Sequence, residues 1–462
     1  MQAWERARDI FRSARPVAVA DADQSWATDA TLAESRSDAD IRLFWSSNVP
    51  GSGAPDCLAL AALGALENKG FSLPPWQDVV AAGVAALRDD DMAALAVAHM
   101  RLWATIRAAE PDPRHASQRT VRYPSWEAFD EVTDWPDDHP VDLAATGYLA
   151  ATQAGWLGQV VGAAAGTALE GYTMAPLAER FGRITGYVRP PSTYNDDITF
   201  EIAFLDAYAA CGPAITSADI AERWVALIPL GWSAEAIALD HLRRGVLAPD
   251  SGRTHNPFDE WIGAQMRGGV FGMVAPGQAR EAARLAWIDG EISHTSNGIL
   301  GAVFNAVLAA RAYVDRDIRT MLTRVVGLFS ERTEYGAVVA RTLAMCRNST
   351  CWQDAWRACD AELVRYHWIH AYPNAAAEIV ALWFGADGFD AMAEIVCGIG
   401  HDADCNAAQV LGVFAIMHGP ASVPRHWSEP LGHDVVTYMR RPKRTSVAEL
   451  AEWTVAAARR WR

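Results

Sequence analysis

The chain lacks an excess of positive charge. Its 462 residues include 56 acidic and 40 basic side chains, which give a formal net charge of −16. Nucleic-acid backbones and anionic membranes attract proteins through local positive charge, so this balance argues against either of them as the main partner. A nucleotide-like ligand held by a few local groups remains compatible with it.

The features of secreted and membrane proteins are also missing. The seven cysteines are scattered, odd in number and without a CxxC pair, so we expect free thiols in a reducing cytosol. The first residues lack the apolar stretch of a signal peptide. The longest apolar tract, 154–169, is short for a membrane span and contains Gln159, so it predicts a buried helix. We therefore expect a cytoplasmic protein without a membrane partner.

Helical patterning recurs along the chain, while alternating strand-like stretches are scarce. Prolines and tryptophans accumulate with acidic residues between 110 and 141, a composition that predicts a linker. We predict an all-α protein, with a mostly helical extension and Pro/Trp-rich linker over residues 1–140 and a compact multi-helix domain over 141–462. Helices are predicted over 79–87, 92–108, 143–165, 198–210, 217–228, 279–287, 298–314, 315–329, 375–383 and 407–418.

Two short acidic motifs carry most of the functional signal. They are Asn195-Asp196-Asp197 and Gly400-His401-Asp402-Ala403-Asp404-Cys405, and each precedes a segment with helical patterning. If the two helix starts meet in the fold, four carboxylates converge and repel one another. Hard divalent cations such as Mg²⁺ take oxygen ligands and neutralise such a cluster. The motifs therefore indicate a metal-dependent hydrolase.

Helix capping is the alternative explanation of both motifs. Asp and Asn are preferred at helix starts, where their side chains accept hydrogen bonds from free backbone N–H groups and interact favourably with the helix dipole. One cap needs only one side chain, however. Each motif alone is typical of a cap, but each contains two acidic residues, and the occurrence of two such motifs in one chain favours metal ligands.

Two other patterns resemble binding motifs only weakly. His367 and His370 have a spacing that zinc sites use, but no partner motif accompanies them, so a ligand contact or a packing role is favoured for His370. Gly162 and Gly166 lack the lysine of a phosphate-binding loop. These two glycines are better explained by close helix packing.

Further segments occur in a recognisable order around the acidic motifs. They are Gly155–Gly158, Gly162–Gly171, Gly263–Arg267, Ala275–Gly277, Ile292–Gly298 and His370–Ala375. With the two motifs, they make residues 145–430 resemble the ADP-ribosylglycohydrolase family of the dinitrogenase-reductase-activating type. The family pattern has an Asp where Ala163 stands, a Pro where Ala168 stands, and Thr at the positions of Asn195 and Cys405.

The resemblance implies a binuclear Mg²⁺ or Mn²⁺ site. Its metal-site residues are Asn195, Asp196, Asp197, Asp402, Asp404 and Cys405, although a cysteine sulfur is a soft ligand poorly matched to Mg²⁺. It also implies Glu170 as general acid or base, with Asp197 and Asp402 as further catalytic residues. The substrate-binding residues it implies are His294, Asn297, Gly298, His370, Asn374 and His401. On the sequence alone, Glu170 also suits a helix end and His294 a hydrogen-bonded core position.

The activity implied by the resemblance is hydrolysis of the anomeric bond of an ADP-ribosyl group on a protein or a small molecule, with an activated water as the nucleophile. Two alternatives stay open. One is a ribosyl N-glycosidase that acts on a small nucleoside or nucleotide derivative, and the other is a non-catalytic ADP-ribose-binding or structural relative. Four retained, mutually repelling carboxylates argue against the second alternative. Residues 1–140 resemble no family and are interpreted as a lid, a dimer surface or a substrate-selecting extension.

Overall fold

Helices dominate the part of the chain that the computed structural model describes, which comprises residues 2–18, 20 and 25–461. Residues 1, 19, 21–24 and 462 belong to the predicted extension and domain but lie outside the described residues. Within the described ranges the strands are all two residues long. The all-α prediction is confirmed.

The helices before residue 141 are α1 (Ala3–Ser13), α2 (Ser25–Trp45), α3 (Leu58–Asn68), α4 (Gln77–Arg88), α5 (Met92–Arg107) and α6 (Trp126–Asp130). Those after it are α7 (Thr146–Gly166), α8 (Met174–Phe181), α9 (Asp196–Cys211), α10 (Ser217–Leu227), α11 (Ser233–Arg243), α12 (Asp250–Arg253), α13 (Gly269–Val274), α14 (Ala279–Gly290), α15 (Ser296–Ala312), α16 (Ile318–Val326), α17 (Glu334–Asn348), α18 (Trp352–Leu363), α19 (Ala371–Phe384), α20 (Phe389–Ile399), α21 (Ala403–His418), α22 (Arg425–Ser428) and α23 (Val447–Arg460). Short 3₁₀ helices cover Ser117–Arg119, Gly212–Ala214, Ile262–Arg267, Pro420–Ser422 and Glu429–Leu431.

The strands form antiparallel two-stranded ribbons: β1 (Ser47–Asn48) with β2 (Pro55–Asp56), β3 (Phe71–Ser72) with β4 (Glu110–Pro111), and β5 (Val435–Val436) with β6 (Arg444–Thr445). Every helix predicted from the sequence is present, with ends displaced by a few residues. The start of α16 moves from the predicted residue 315 to Ile318 because Asp317 caps it, accepting a hydrogen bond from the Thr320 N–H. Among the described residues, no helix combines the length and apolar character needed to cross a membrane.

The helix pair α7 and α21 forms the centre of the fold. Gly158, Gly162 and Gly166 repeat every fourth residue along α7 and therefore share one face. A Cβ at Gly162 would lie 2.3 Å from the Ala407 carbonyl group, and one at Gly166 would lie 2.1 Å from the Asp404 nitrogen. Only glycine allows so close an approach, so the packing explanation of Gly162 and Gly166 is confirmed.

The helices of the N-terminal region build a smaller core that continues into the rest of the chain. Trp45, Leu63 and Leu95 are buried together with Phe258 and Trp261. Because these last two residues come from the later part of the chain, the two regions share one apolar interface. Burial of such aromatic surface is a strong source of association energy.

The Pro/Trp-rich segment packs onto the same body. Phe129, which is 1% exposed, stacks on Trp287 with ring centres 5.6 Å apart, and Trp126 and Trp135 contact Phe129 from other directions. A hydrogen-bonded ion pair joins Arg280 to Asp130 at its edge. The aromatic side chains therefore attach this segment to α14.

Candidate active site

The two acidic helix starts meet. Carboxylate oxygens of Asp196, Asp197 and Asp404 lie within 4.8 Å of one another, and the same limit holds for ligand atoms of Asp402, Asp404 and Cys405. Asp404 belongs to both groups and therefore connects them. The predicted convergence of four carboxylates at the starts of α9 and α21 is confirmed.

The capping alternative fails for both motifs. Asn195 and Asp402 occupy the positions just before α9 and α21, but within the described structure neither side chain makes a capping hydrogen bond. Asn195 instead directs its Nδ2 group to Asp404, donating to Oδ2 at 3.0 Å. Asn195 thus faces Asp404 across the two helix starts, while the other carboxylate oxygen of Asp404, Oδ1, accepts a hydrogen bond from the Cys405 N–H at 2.9 Å.

Backbone hydrogen bonds between two loops place Glu170 beside this cluster. The Gly171 N–H donates to the His401 carbonyl at 2.9 Å, and the His401 N–H donates to the Tyr172 carbonyl at 2.8 Å. Gly400 and His401 take positive φ values of 80° and 58°, which turn the chain into α21. The segment after α7 is thereby held beside the second acidic motif.

The electrostatics of the site follow from crowding acidic groups in a buried place. Burial first, and then the Asp404 charge, holds the pKa values of Asp197 and Asp402 well above the ordinary range and raises the pKa of Asp196 to about 7. Burial and the neighbouring carboxylates likewise hold the pKa of Glu170 well above its usual range. Among these neighbours, the Asp404 charge acts most strongly on Glu170. Such a cluster is neutralised either by protons or by cations.

The oxygen atoms of the cluster fit a hard divalent cation. Both carboxylate oxygens of Asp197, Oδ1 of Asp402 and Oδ1 of Asn195 are buried without a hydrogen-bond partner among the described residues. Unpartnered buried acceptors cost free energy. Mg²⁺ and Mn²⁺ bind oxygen ligands of this kind, so the donor set suits either ion.

Cys405 borders the cluster but suits the ion less well. Burial, and then the Asp197 charge, holds the pKa of its thiol well above the ordinary range. Its Sγ atom lies 3.9 Å from the Met266 sulfur. Since the thiolate is the form that binds metals, the protonated side chain is better described as part of the wall.

The cluster opens onto a cleft of about 400 Å³. Glu170, Asn195, Asp196, Asp402, Asp404 and Cys405 all line it. Aromatic side chains of Tyr194, Trp232, Trp368 and Tyr438 contribute apolar surface. A concave site with a few convergent polar groups on a largely apolar wall is typical of small-molecule binding.

The family of the chain follows from its match to a family model. The model described as ADP-ribosylglycohydrolase matches residues 144–462. The chain belongs to the ADP-ribosylglycohydrolase family. No curated protein matches it. Solved structures that match include one described as an "ADP-ribosylglycohydrolase-related protein complex", which is 16% identical, covers 68% of this chain and 99% of that chain, and has a TM-score of 0.49.

Glu235 is a cleft residue that the sequence interpretation missed. It is 3% exposed, lines the cleft and accepts a hydrogen bond of 2.7 Å from Arg267. Arg267, which is also buried, pairs with Asp289 and lies 4.8 Å from the Trp224 ring centre. Glu235 stands in the first turn of α11, where an acidic residue suits the helix dipole, so its sequence context carries no catalytic signal.

Several residues implied as substrate contacts lie outside the lining of the cleft, namely His294, Asn297, Gly298, Asn374 and His401. The Asn374 Oδ1 atom accepts a hydrogen bond from the Asp402 N–H at 3.2 Å, and its Nδ2 group donates to the Trp368 carbonyl at 2.7 Å. Asn374 therefore links the backbone of the second acidic motif to the Trp368 backbone. Its predicted substrate contact stays a prediction.

The other residues in this group have buried partners of their own. The His294 Nδ1 atom lies 2.7 Å from the Ser293 hydroxyl, and burial holds the pKa of His294 well below its ordinary value. Asn297 donates to Glu260 at 2.9 Å. The His401 ring packs edge-on against Trp356 at 5.1 Å. These contacts are typical of packed, hydrogen-bonded structure.

Gly298, His367 and His370 also make packing and hydrogen-bonding contacts outside the cleft. A Cβ at Gly298 would lie 2.5 Å from the Asp259 carbonyl oxygen, so the helix start approaches that backbone closely. His370 precedes α19 and accepts a hydrogen bond from the Tyr372 N–H at 3.2 Å. His367 binds Asp56 at 3.0 Å. Both histidines line a separate open groove beside α3.

Proposed function

We propose that the chain is a metal-dependent glycohydrolase that cleaves the anomeric bond of an ADP-ribosyl group on a protein or a small molecule. Family membership supports the glycohydrolase class. The observation that carries the proposal is the convergence of four carboxylates, several of whose oxygens lack hydrogen-bond partners among the described residues. Mg²⁺ is the preferred ion, with Mn²⁺ as a substitute, and the linkage through Asp404 supports two ions.

The residues of the cluster have separable tasks. Asp196, Asp197, Asp402 and Asp404 would hold the cations, with Asn195 adding its carbonyl oxygen. When bound, such ions lower the pKa of water and orient ribose hydroxyls. Glu170 lines the cleft with Asp402 and Asp404, and burial together with the neighbouring carboxylates holds its pKa well above the usual range. This suits it to donate a proton to the leaving group and, once deprotonated, to accept one from water. Carboxylates around the cleft stabilise the positive charge that develops on the sugar ring.

A second candidate activity is the removal of a small base or amine from an uncharged riboside. Six acidic residues line the cleft, whereas Arg189 is the only basic residue among its described lining residues. A diphosphate carries negative charge and gains little from such a wall. Apart from the carboxylates that would hold cations, Asp56, Glu170 and Glu235 still outnumber Arg189, and this balance supports a small uncharged riboside as the second candidate.

Hydrolysis assays separate the two activities. Purified protein would be incubated with ADP-ribosyl-arginine and with a panel of simple ribosides in the presence of Mg²⁺, and the released sugar would be followed by chromatography. Release of ADP-ribose, abolished by Asp197→Asn, is the result expected for the leading proposal. Cleavage of simple ribosides alone would favour the second activity. Absence of cleavage in every reaction would refute both.

A further inference from the structure

The N-terminal region contributes one wall of the candidate active site. The β1–β2 hairpin and its flanks lie outside the residues that the family model matches. Nevertheless they line the same cleft as the acidic cluster, through Leu43, Ser47, Asn48, Val49, Pro50, Gly51, Asp56 and Leu58. The cleft therefore combines the family's acidic motifs with a surface that belongs to this chain's own extension.

The tip of this hairpin touches Glu170. A Cβ at Gly51 would lie 2.6 Å from Oε2 of Glu170 and 2.3 Å from Cγ2 of Thr167. Real side chains do not approach so closely, so the Gly51 backbone is in direct contact with both residues. The Glu170 carboxylate is thus bounded by the hairpin on one side, in the cleft that Asp402 and Asp404 also line.

The hairpin is held in place by several independent contacts. The Val49 N–H donates to the Ala54 carbonyl at 2.8 Å, and Ala54 is fully buried against Gly171, the residue that follows Glu170. At its other end, Asp56 Oδ1 lies 3.0 Å from Nε2 of His367. The His367 ring stacks on Trp261 at 4.6 Å with an interplanar angle of 4°. A wall anchored at both ends has a fixed distance to the residues it touches.

We propose that the β1–β2 hairpin, residues 47–56, is part of the catalytic unit, with Gly51 positioning the Glu170 carboxylate and Asn48 limiting the size of the group that fits beside it. The inference rests on the proposed function and adds a positioning and selecting role for the N-terminal extension. A carboxylate that transfers protons must keep its geometry closely, because misplacement of a reacting group by about 1 Å lowers the rate by about 100-fold.

Gly51→Ala tests the positioning role, with Gly64→Ala as the matched control. Gly64 lies in α3 of the same region, and a Cβ there meets no atom within 4 Å. In Gly51→Ala we expect kcat to fall about 100-fold, while the stabilisation of the protein by Mg²⁺ is retained. In Gly64→Ala both quantities should match the wild type. Equal kcat values in the two variants would overturn the positioning role.

Asn48→Trp provides a second test, which does not depend on whether the protein folds with a side chain at position 51. Asn48 is an exposed residue of the cleft wall, and the neighbouring Ser46, also exposed, is absent from the described lining. We expect Asn48→Trp to raise KM about tenfold with Mg²⁺ stabilisation intact, and Ser46→Trp to leave KM unchanged. Equal KM values in the two tryptophan variants would overturn the selecting role.

The activity of the wild type separates failure of the hairpin role from failure of the proposed function. An active wild type whose hairpin variants behave like their controls would overturn the hairpin inference alone. A wild type that cleaves neither ADP-ribosyl-arginine nor any simple riboside would overturn the proposed function, and the hairpin role with it.

Discussion

At the scale of the residue, Asp404 is the position on which the site depends most. It belongs to both groups of ligand atoms, and it accepts a hydrogen bond from Asn195. Its charge is also the first electrostatic cause, after burial, of the raised pKa values of Asp197 and Asp402. Removing that charge should therefore relieve repulsion and weaken cation binding together.

We predict that Asp404→Asn loses the stabilisation that Mg²⁺ confers on the wild type. A ligand at 100 times its Kd stabilises a protein by about 2.7 kcal/mol, and this gain should be absent from the variant. Without Mg²⁺ the variant should be at least as stable as the wild type, because fewer carboxylates repel one another. Thermal unfolding with and without Mg²⁺ measures both effects. Asp9→Asn, at an exposed position of α1, is the control and should keep the full response.

Glu378 allows a prediction of pH dependence away from the acidic cluster. It is fully buried in α19, and burial raises its pKa from 4.5 to about 8. The folded state therefore holds a proton that the unfolded state releases, so stability falls as the pH rises from 4.5 through about 8. The slope from one such group reaches about 1.4 kcal/mol per pH unit.

Glu378→Gln should remove this contribution. Urea unfolding at several pH values should give the variant a flatter stability profile, with the difference from the wild type growing above pH 5. A glutamine keeps an acceptor for the Asn305 Nδ2 group, which donates to Glu378 at 3.1 Å. Parallel profiles for the two proteins would show that Glu378 does not titrate in this way.

At the scale of the element, the contact between α7 and α21 brings the site together. Gly166 lies against the first turn of α21, and the chain then continues to Glu170 beside the same turn. Glycine at this position thus serves both the packing of the helices and the placement of the acidic groups.

Gly166→Ala is expected to be destabilising because the new Cβ would meet backbone atoms, 2.1 Å from the Asp404 nitrogen, that have little freedom to move. Overpacking of this kind costs about 1–3 kcal/mol of unfolding free energy. Gly147→Ala in the same helix is the control, since a Cβ there meets nothing within 4 Å. That substitution should stabilise the protein by less than about 1 kcal/mol, because Gly147 is the second residue of α7 and not an interior one. Chemical denaturation of both variants compares the effects directly.

The elements also show why part of the site was predictable. Asp196 and Asp402 each stand beside further acidic residues at the start of an apolar helix, a local pattern that is visible in the sequence. Glu235 stands alone at the start of α11 and reaches the cleft only through tertiary packing with Arg267. The spacing of residues in the sequence predicts which side chains share one helix face. It does not predict which helix, distant in the sequence, packs against that face.

At the scale of the whole molecule, the extension and the later region are joined by a buried ion pair as well as by an apolar core. Lys69, one of two lysines in the chain, pairs with Asp259, and both side chains are largely buried. Asp259 also accepts a hydrogen bond from the Thr295 hydroxyl at 2.7 Å. The boundary near residue 140 remains a prediction from composition, and these contacts extend across it.

Lys69→Met should destabilise the whole protein. Removing one partner of a buried pair leaves an uncompensated charge and costs about 3–5 kcal/mol. Lys443→Met at the exposed second lysine should have little effect. Equal unfolding free energies for the two variants would mean that the buried pair does not hold the regions together.

The hairpin contact could not be predicted from the sequence. Residues 47–56 contain no acidic cluster or motif, and Gly51 resembles any loop glycine. Its role depends on the distance to Thr167 and Glu170, which are fixed by packing of the extension against the later region. The helices and the acidic ligands follow local rules, whereas the cleft wall is a property of the assembled molecule.

The most direct test of the account is the rate of riboside or ADP-ribosyl-arginine hydrolysis as a function of free Mg²⁺, measured on protein from which metals have been removed by chelation. The account predicts no hydrolysis in the chelated protein and a saturable recovery as Mg²⁺ or Mn²⁺ is added. Hydrolysis that continues undiminished without metal would contradict it.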